Sequence, residues 1–548
     1  MPNKILSVVA SGSELVRVEI EVVVKKRGFP SFELVGLVGK DAVECKKRIL
    51  CAFESAGIRI RNMKVLVNLR PSNVVKSGAH FDLAISAGIL LAIKKLTLNR
   101  SLLLVGEVSL SGHFIPSSYD VLVKMQHVLN EEHVLIVAGE IGLKRHDSVQ
   151  NFYFVESIED LGVFLESLSR YQDFASLPPA VEKKGMDIFG SLLCYDSEED
   201  SLYRTAEKSF DSILGNEKIK RALEISAVGR HSLYVYGPPG SGKTTLLNSL
   251  VFLLPKMEPK EALRSSILYG LENLSSASSD RAGVTLMPPC RILSHTTSVS
   301  SLTGKSNSRS IGELSLAHNG VLIMNELNLF SSKVSDLIKE VLDDKAFYVI
   351  KDRRLVKVPS EFILLASSNL CPCGYYGSEI KKCTCLPFQV RQFNSKISGA
   401  FLDRFDMTVY AEQVTDTSEN YSSEKVMAED KKLVTNLPEK DSYKFEQLKN
   451  KIFSAVEYRK NRLLSFPDSA QINNKNIYTP EIFFQKSKIT LEAKIFALSI
   501  LKSNSLSMRG FSKFLALSRT LADIDSDEKI RVQHVAEAIS FKEAVALQ

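Results

Sequence analysis

The sequence predicts an α/β protein built from several domains. Short apolar segments with strand patterning recur between amphipathic helical segments, and a glycine-rich loop lies between a short buried strand and a helix. At about 100–200 residues per domain, a chain of 548 residues corresponds to two to four domains. With 44% hydrophobic and 24% charged residues, the composition is that of an ordinary globular chain that can bury several cores.

The first 170 residues predict an α/β or α+β domain. Segment 16–24 alternates like a strand, 41–57 has the pattern of an amphipathic helix that ends at Gly57, and 81–93 is apolar enough for a buried helix. Further strands are expected at 65–69, at 102–110 with a turn at Ser111–Gly112, at 133–139 and at 152–157.

The rest of the chain divides by periodicity. Residues 171–208 lose it and carry prolines and mixed charges, which predicts a linker. A second domain is predicted over 209–412, and it begins with an amphipathic helix at 210–229. A charged connection is expected at 413–444, followed by a mainly helical region at 445–548.

Membrane insertion and export are not predicted. No apolar run approaches the roughly 18–20 residues that cross a bilayer, and the apolar start of the chain runs directly into Ser11–Glu14, unlike a signal peptide. We therefore expect a cytoplasmic protein. The net charge of +7 is a mild bias toward polyanions that does not identify a partner.

A phosphate-binding loop is predicted after the strand at 232–236, since residues 237–244 fit the pattern G-x-x-x-x-G-K-[ST]. In such a loop the backbone N–H groups hold phosphates, the lysine reaches the outer phosphates and the hydroxyl binds Mg²⁺. The predicted nucleotide-binding residues are Gly237, Pro238, Pro239, Gly240, Ser241, Gly242, Lys243, Thr244 and Thr245, and Thr244 is the predicted magnesium ligand.

Two further strands are expected to complete this site. Residues 320–324 lead into Asn325 and Glu326, where an aspartate and a glutamate are usual; Glu326 is the candidate base, and Asn325 would reach Mg²⁺ through water. The alternative is that Asn325 only ends a core strand. The strand at 362–368 is followed by Asn369, which either orients water near the γ-phosphate or is a cap or turn residue.

Five segments resemble one protein family: GNEKIKRALEISAVGRH, GPPGSGKTT, GELSLAHNGVLIMNEL, SSNLCPCGYYG and SGAFLDRFDM are similar to the YifB/ComM family of magnesium-chelatase-like AAA+ ATPases. The first domain also resembles that family's N-terminal domain. The resemblance implies a Lon-protease-like (S5-type) α+β domain at 1–170, a P-loop AAA+ three-layer αβα domain at 209–412 and a C-terminal helical lid at 445–548.

The same resemblance implies an ATP-driven ring, usually a hexamer, whose nucleotides lie at subunit interfaces. Competence-associated members of the family act as DNA branch-migration helicases in natural transformation. Roles carried over residue by residue are the P-loop lysine Lys243, the magnesium hydroxyl of Thr244, the catalytic glutamate Glu326, the first sensor Asn369, the arginine finger Arg404 and the second-sensor arginine Arg509. By residue type alone, either arginine could instead be an ordinary surface group.

The sequence departs from the family at two places: Asn325 replaces an aspartate, and Thr303–Ser306 replaces a glycine-rich run in a pore-facing insert. In the first domain, residues 76–82 place no serine where a Lon nucleophile would fall, and Lys76 and Ser77 are only chain neighbours. His80 is expected to be a hydrogen-bonded structural residue, so peptidase activity is not predicted.

Four cysteines form a candidate metal site. Eight cysteines in a chain without an export signal argue against a disulfide framework, and Cys371, Cys373, Cys383 and Cys385 fall within one short stretch. They could hold one structural Zn²⁺, although the C-x-C spacing is tighter than usual. The alternative is a set of four reduced surface cysteines.

A basic hairpin is predicted at 345–359 around the tip residues Lys351, Arg353 and Arg354. In this AAA+ branch such a hairpin points toward the ring pore, where basic groups could bind single-stranded or branched DNA through its phosphates. The alternative is a solvated turn.

These observations lead to one functional hypothesis and two rivals. We expect a bacterial AAA+ ring motor that uses ATP and Mg²⁺ to move on DNA. One rival is a chelatase-like ATPase that remodels a protein partner, which the first domain disfavours. The other is an ATP-binding scaffold with slow turnover, which Asn325 keeps open.

Overall fold

The chain is described here by a computed structural model. The described residues are 4–11, 14–26, 29–36, 40–71, 76, 78–98, 101–115, 134–138, 152–170, 197–273, 285–304, 311–351, 354–378, 380–413, 444–464, 483–484, 488–503 and 507–542. The predicted charged connection at 413–444 lies outside them except for its two end residues, and so do Lys305, Ser306 and linker residues 171–196.

The N-terminal region forms a seven-stranded mixed sheet. The elements of the N-terminal region are β1 (Ile5–Ser11), β2 (Glu14–Lys25), β3 (Ser31–Val35), α1 (Lys40–Ser55), β4 (Lys64–Arg70), α2 (Asp82–Lys94), β5 (Leu102–Val105), β6 (Glu107–Val108), β7 (Phe114–Ile115), β8 (Val134–Ala138), β9 (Phe152–Val155) and α3 (Ile158–Arg170). The strand order is β3-β4-β2-β1-β5-β8-β9. Among the described strand pairs of this sheet, β1–β2 and β2–β4 are antiparallel and the others are parallel.

Helix α2 is the centre of this region, as its apolar sequence predicts. Residues Asp82 to Leu91 are all buried. Gly88 allows the helix to approach the sheet, because a Cβ there would lie 2.4 Å from the Cγ2 atom of Val22. The single strand predicted at 102–110 is wrong: Gly106 separates β5 from β6, and its N–H donates to the carbonyl of His80.

The predicted linker is partly helical. Helix α4 (Ser197–Asp211) covers the end of that segment and buries Phe210 completely. The single helix predicted at 210–229 is also wrong, because α4 ends at Asp211 and α5 (Glu217–Gly229) starts after Asn216, whose φ is +54°. The side chain of Asn216 explains the break: its amide bonds to Ser241 O and to the backbone of Glu412, which joins the helix start to the loop after β10.

The central region is a five-stranded parallel sheet between helices. Its elements are β10 (Leu233–Tyr236), α6 (Lys243–Leu253), α7 (Pro259–Asn273), β11 (Cys290–Leu293), α8 (Val299–Thr303), α9 (Glu313–Leu316), β12 (Val321–Met324), α10 (Ser332–Asp344), β13 (Ala346–Lys351), β14 (Arg354–Pro359), β15 (Ile363–Ser368), α11 (Pro387–Asn394), α12 (Gly399–Leu402) and β16 (Met407–Tyr410). The order is β11-β12-β15-β10-β16, and β13 and β14 form a separate hairpin.

Alternate residues of the central strands face two different cores. Leu233, Val235 and their counterparts in β12, β15 and β16 pack with α5, α6 and the C-terminal helices. Tyr234, Leu322 and Leu364 face the opposite core with α10. Because both faces of the central sheet are covered, the strand sequences are continuous apolar runs.

Among the described residues, four C-terminal helices with full bounds share the first of these cores: α13 (Phe445–Leu464), α14 (Leu491–Ser503), α15 (Met508–Ile524) and α16 (Val532–Ser540). Buried Asp523 accepts hydrogen bonds from Arg462 and Arg519, so this carboxylate is paired within the helical layer. Among the helices that the structure describes, none is both long enough and apolar enough to cross a membrane.

Candidate active site

The candidate site lies at the carboxyl edge of the central sheet. Strands β12, β15 and β10 are parallel neighbours in that order, with Met324 level with Ala366 and Tyr236 level with Ser368. The residues after each strand therefore emerge at one edge, where open parallel sheets bind ligands. This register brings Asn325, Asn369 and Gly237 together, as the sequence predicts.

The loop between β10 and α6 has the backbone of a phosphate cradle. Gly240 and Gly242 have φ values of +77° and +79°, which glycine adopts without strain. Gly237 has no room for a side chain, because a Cβ would lie 2.6 Å from the carbonyl oxygen of Ala411. Gly242 is the N-cap of α6, so the free N–H groups of the first helical turn face the loop and suit an anion.

Lys243 is a buried cation surrounded by neutral acceptors. Its Nζ atom donates to Gly237 O at 2.9 Å and Pro238 O at 2.6 Å, and Ser241 Oγ lies 3.4 Å away. The side chain belongs to a residue that is only 8% exposed, and burial lowers its pKa to about 8. No carboxylate pairs with it in the described part of the chain. A polyphosphate would supply the missing negative charge, so these residues fit a nucleotide.

Polar side chains from three elements surround this loop. Thr244 and Thr245 are exposed on the first turn of α6, and Glu326 is exposed after β12 with a φ of +57°. Asn325 is half-buried, and its Oδ1 atom accepts a hydrogen bond of 3.2 Å from Ser367 Oγ. Ser367 was not identified from the sequence, because a serine within a buried strand has no pattern that predicts a functional role.

Asn369 contacts the segment that carries the cysteines. A Cβ on Gly374 would lie 3.9 Å from Asn369 Nδ2 and 3.2 Å from Cδ of Pro239 in the phosphate loop. Asn369 thus lies beside the phosphate loop, and both interpretations of this residue, water orientation and a cap or turn role, stay open.

The two predicted arginines meet at a third residue, Asp343. Arg404 Nη2 donates to Asp343 Oδ2 at 2.9 Å, and Arg509 Nη2 donates to Asp343 Oδ1. Burial opposes the effect, but the two guanidinium groups lower the pKa of the Asp343 carboxyl. Sequence reasoning missed Asp343, although an acidic residue in the last turn of a helix, where the dipole disfavours it, was an available signal.

This arginine pair lies toward the amino edge of the sheet, opposite the carboxyl edge that carries the phosphate loop. Arg404 precedes β16, whose first residue Met407 is level with Leu233 at the start of β10. The phosphate loop follows the last residue of β10, about 13 Å further along a four-residue strand. Arg404 and Arg509 therefore belong to a different surface from the loop of their own chain.

The four predicted metal ligands converge. Their sulfur atoms all lie within 4.8 Å of one another. Cys371 Sγ is 3.3 Å from Cys373 Sγ and 3.6 Å from Cys383 Sγ, and the last two are 3.5 Å apart. Tetrahedral zinc with Zn–S bonds of about 2.3 Å holds sulfurs about 3.8 Å apart, so the cluster fits Zn²⁺.

Backbone N–H groups support the thiolate form of this cluster. Tyr376 N–H points to Cys371 Sγ and Cys385 N–H points to Cys383 Sγ. Backbone donors from Tyr375 and Thr384 lower the pKa of Cys373 to about 5, whereas burial raises the pKa of Cys371. Such N–H···S contacts are those that stabilise metal thiolates, and four protein thiolates leave no position for a reacting water.

The basic hairpin forms as predicted, with Lys351 opposite Arg354 at the end of the β13–β14 ladder. Arg353 lies outside the described residues. In the N-terminal region, His80 Nε2 bonds to the carbonyl of Val8 at 2.7 Å, and the Lys76 ammonium donates to the carbonyl of Pro71. Both are buried, which agrees with structural roles; Ser77 lies outside the described part of the chain.

Comparisons with known proteins cover all three regions. The family models "Magnesium chelatase, subunit ChlI", "Subunit ChlI of Mg-chelatase" and "Magnesium chelatase, subunit ChlI C-terminal" match residues 209–419, 18–141 and 443–542. The chain is 28% identical to uncharacterized protein YifB of Escherichia coli over 540 residues, which is 96% of this chain and 94% of that protein.

Two further relatives are informative. Competence protein ComM of Haemophilus influenzae is 28% identical over 97% of this chain and 95% of its own length. The magnesium-chelatase 38 kDa subunit of Rhodobacter capsulatus is 27% identical over 180 residues, 29% of this chain and 49% of that protein. With the phosphate loop and the parallel sheet, these matches place the chain in the YifB/ComM family of magnesium-chelatase-like AAA+ ATPases.

Proposed function

We propose that the chain is an ATP-hydrolysing ring motor that acts on DNA, with branched recombination intermediates as its substrate. The observation that carries this proposal is the separation of Lys243 from Arg404 and Arg509 on opposite edges of one sheet. Lys243 and the two arginines of one chain do not reach the same nucleotide. The site is therefore completed by the arginines of a neighbouring chain.

Within one chain, the residues at the carboxyl edge bind and orient the nucleotide. Lys243 pairs with the outer phosphates, and the hydroxyl of Thr244 is a ligand of Mg²⁺, with Thr245 beside it on the first turn of α6. When bound, Mg²⁺ neutralises phosphate charge. Glu326 accepts a proton from the attacking water, and Asn369 orients that water. Asn325, fixed by Ser367, takes the place of the acidic residue that usually holds a magnesium-bound water.

Between chains, Arg404 and Arg509 reach the γ-phosphate of the neighbouring subunit. Two guanidinium groups there stabilise the charge that develops in phosphoryl transfer. Asp343 holds both arginines on one surface, which supports a shared trans role rather than a separate role for each. Closed rings satisfy every such head-to-tail interface, and we propose a hexamer.

Contact with DNA is assigned to the β13–β14 hairpin. Lys351 and Arg354 stand at its end, with Arg353 between them in sequence, and this basic group suits phosphates independently of base sequence. The relative named competence protein ComM supports DNA as the polymer, and the net charge of +7 is compatible with it.

The remaining regions support this motor. We propose that residues 1–170 are a Lon-like (S5-type) domain without peptidase activity, that 445–548 are the lid of the AAA+ core at 209–412, and that the four cysteines at 371–385 hold a structural Zn²⁺. The buried, internally bonded Lys76 and His80 support the first assignment, and the core shared by α13–α16 with the sheet supports the second.

One observation favours a second candidate, an ATP-binding scaffold with slow turnover. Asn325 carries no negative charge, and its Oδ1 atom is already engaged by Ser367. An asparagine would interact with magnesium-bound water more weakly than the usual aspartate, which would slow ATP hydrolysis without preventing ATP binding. A chelatase-like remodeller of a protein partner differs from both candidates because its turnover would not respond to DNA.

The deciding experiment is magnesium-dependent ATP hydrolysis by the full chain with no DNA, single-stranded DNA, duplex and a four-way junction. We expect the junction to stimulate turnover, and Glu326→Gln to abolish it while nucleotide binding remains. Binding without turnover under all four conditions would favour the scaffold. Turnover that no DNA changes would contradict the motor on DNA and favour the protein remodeller.

A further inference from the structure

The cysteine-bearing segment is part of the wall of the nucleotide site. It continues directly from β15, so that Cys371 follows Asn369 by two residues. Gly374 packs on the phosphate loop so closely that a Cβ there would lie 3.2 and 3.3 Å from Cδ and Cγ of Pro239. Its φ of +88° favours glycine at this position, and a Cβ would also push the Pro239 ring away by a few tenths of an ångström.

A hydrogen-bonded chain joins the same segment to the phosphate loop. Gln413 Nε2 donates to Pro239 O at 2.7 Å, and Gln413 Oε1 accepts from Ser378 Oγ at 2.6 Å. Since Pro239 O can only accept, the orientation of the Gln413 amide is set, and the oxygen is left for Ser378. Nearby, Tyr410 OH donates to Gly377 O at 3.0 Å.

Gly374 and Ser378 lie in the chain between the two cysteine pairs, so a metal that joins the four sulfurs would close the loop that carries them. Between the end of β15 and the start of α11, the described backbone forms only turns, with Gly374 N bonded to Cys371 O and Ser378 N bonded to Tyr375 O. Such a segment has little regular structure of its own and depends on cross-links to stay ordered. Four convergent thiolates repel one another unless a cation joins them.

We propose that Zn²⁺ at Cys371, Cys373, Cys383 and Cys385 controls nucleotide affinity by ordering the segment that presses on Pro239. Metal binding closes the loop, Gly374 and Ser378 then hold the phosphate loop through Pro239 and Gln413, and metal loss releases it. This inference rests on the nucleotide site proposed above. It adds regulation by a metal that does not take part in the reaction.

The test compares Mg²⁺–ADP binding by zinc-loaded and zinc-stripped full-length protein, using calorimetry after the chelator has been removed and Mg²⁺ restored. Elemental analysis should find about one zinc per chain in the loaded form. We expect stripping to weaken ADP binding about tenfold, within the usual range of coupling between two sites. Hydrogen exchange of residues 237–245 in the absence of nucleotide should also become faster.

Ser378→Ala separates the connection from the metal site. This variant keeps all four thiols and should bind the same amount of zinc, but its ADP affinity should change about threefold or less on stripping. Ser395→Ala is the matched control, because Ser395 Oγ is exposed and bonds only locally, to Gln392 O at 3.0 Å. It should retain the full effect of zinc.

Three results would overturn the inference. Equal ADP affinity and equal exchange at 237–245 with and without zinc would remove the coupling while leaving the proposed nucleotide site intact. A full zinc effect in Ser378→Ala would show that the described connection does not carry it. Zinc binding without any ADP binding in either form would instead contradict the proposed function, on which the inference rests.

Discussion

The N-terminal and central regions both bury a charged side chain at the start of a helix, but the surroundings of the two charges differ. In the N-terminal region, Asp82 at the start of α2 is completely buried and accepts hydrogen bonds from Arg48 Nε at 2.7 Å, Arg48 Nη2 at 3.2 Å and Val108 N at 3.3 Å. In the central region, Lys243 at the start of α6 is buried, and its acceptors among the described residues are neutral. The first charge is neutralised within the fold, and the second is not.

This difference distinguishes a structural charge from one that awaits a ligand. Removing one member of a buried pair leaves its partner unpaired and costs stability. Removing a buried charge that has no opposite partner relieves a desolvation cost. Buried groups with a shifted pKa and no opposite charge nearby are concentrated at functional sites. This is the physical reason to place function in the central region.

The arginine pair is intermediate between these two cases. Arg404 and Arg509 have a carboxylate partner in Asp343, yet the side chains remain about one fifth to one third exposed, at 20% and 28%. Because both arginines remain partly exposed to solvent, their contact with Asp343 can be exchanged for a charge-assisted contact with a phosphate.

The largest effect is expected for Arg404→Ala, which should lower the turnover number for ATP by about 10³-fold, the usual value of an arginine finger. Mixing Arg404→Ala with Lys243→Ala subunits should restore part of the activity, because an interface then forms with one intact loop and one intact arginine. The exposed Arg391→Ala is a matched control and should leave turnover unchanged. Mixtures no more active than either variant alone would show that Arg404 does not act between subunits.

The second prediction compares the buried Asp82 of the N-terminal region with the buried Lys243 of the central region. Asp82→Asn should lower the free energy of unfolding of the N-terminal region by about 3 kcal/mol and leave nucleotide affinity unchanged. Lys243→Met should leave stability unchanged or raise it, while nucleotide binding weakens by about 2–5 kcal/mol. Hydrogen exchange in α2 and in α6 measures the two regions separately.

Glu54→Gln provides the control for the N-terminal region, since Glu54 forms an exposed pair with Arg61 at 2.6 Å. Its loss should cost at most about 1 kcal/mol. A stability loss in Lys243→Met as large as that in Asp82→Asn would contradict the proposed difference between a paired and an unpaired buried charge.

The smallest effect is a dependence on pH. Lys243 has a pKa of about 8 in the folded chain against 10.5 ordinarily, so between these values the unfolded chain holds more protons at this residue. Its contribution to the free energy of unfolding of the nucleotide-free protein therefore rises with pH from about 8 to 10.5. Nucleotide binding favours the charged form, and we expect proton uptake on binding at pH 8.5 and weaker affinity above it.

Calorimetry in buffers of different ionisation enthalpy measures that uptake. The wild-type chain should show a binding enthalpy that changes with the buffer, while a variant such as Lys243→Arg, which stays charged, should show much less change. Identical buffer dependence in both would mean that Lys243 is not the group that gains the proton.

The sequence by itself determined the elements whose signals are local. Continuous apolar strands, the glycine loop at 237–244, the buried helix α2 and the β13–β14 hairpin could all be predicted, because their patterns depend on neighbours a few residues apart. Even the convergence of four cysteines was predictable, since they lie within fifteen positions of one another. The errors were local breaks: Gly106 within a strand and Asn216 between two helices.

Only the tertiary structure decided which distant groups meet and which remain unpaired. Asp343 pairs with Arg404, 61 positions away, and with Arg509, 166 positions away. Ser367 orients Asn325, and Gln413 joins Ser378 to Pro239. No periodicity records such contacts, because they depend on strand order and register rather than on spacing along the chain. The state of Lys243 was decided in the same way, since a motif predicts the lysine but only packing determines that it is buried among neutral acceptors.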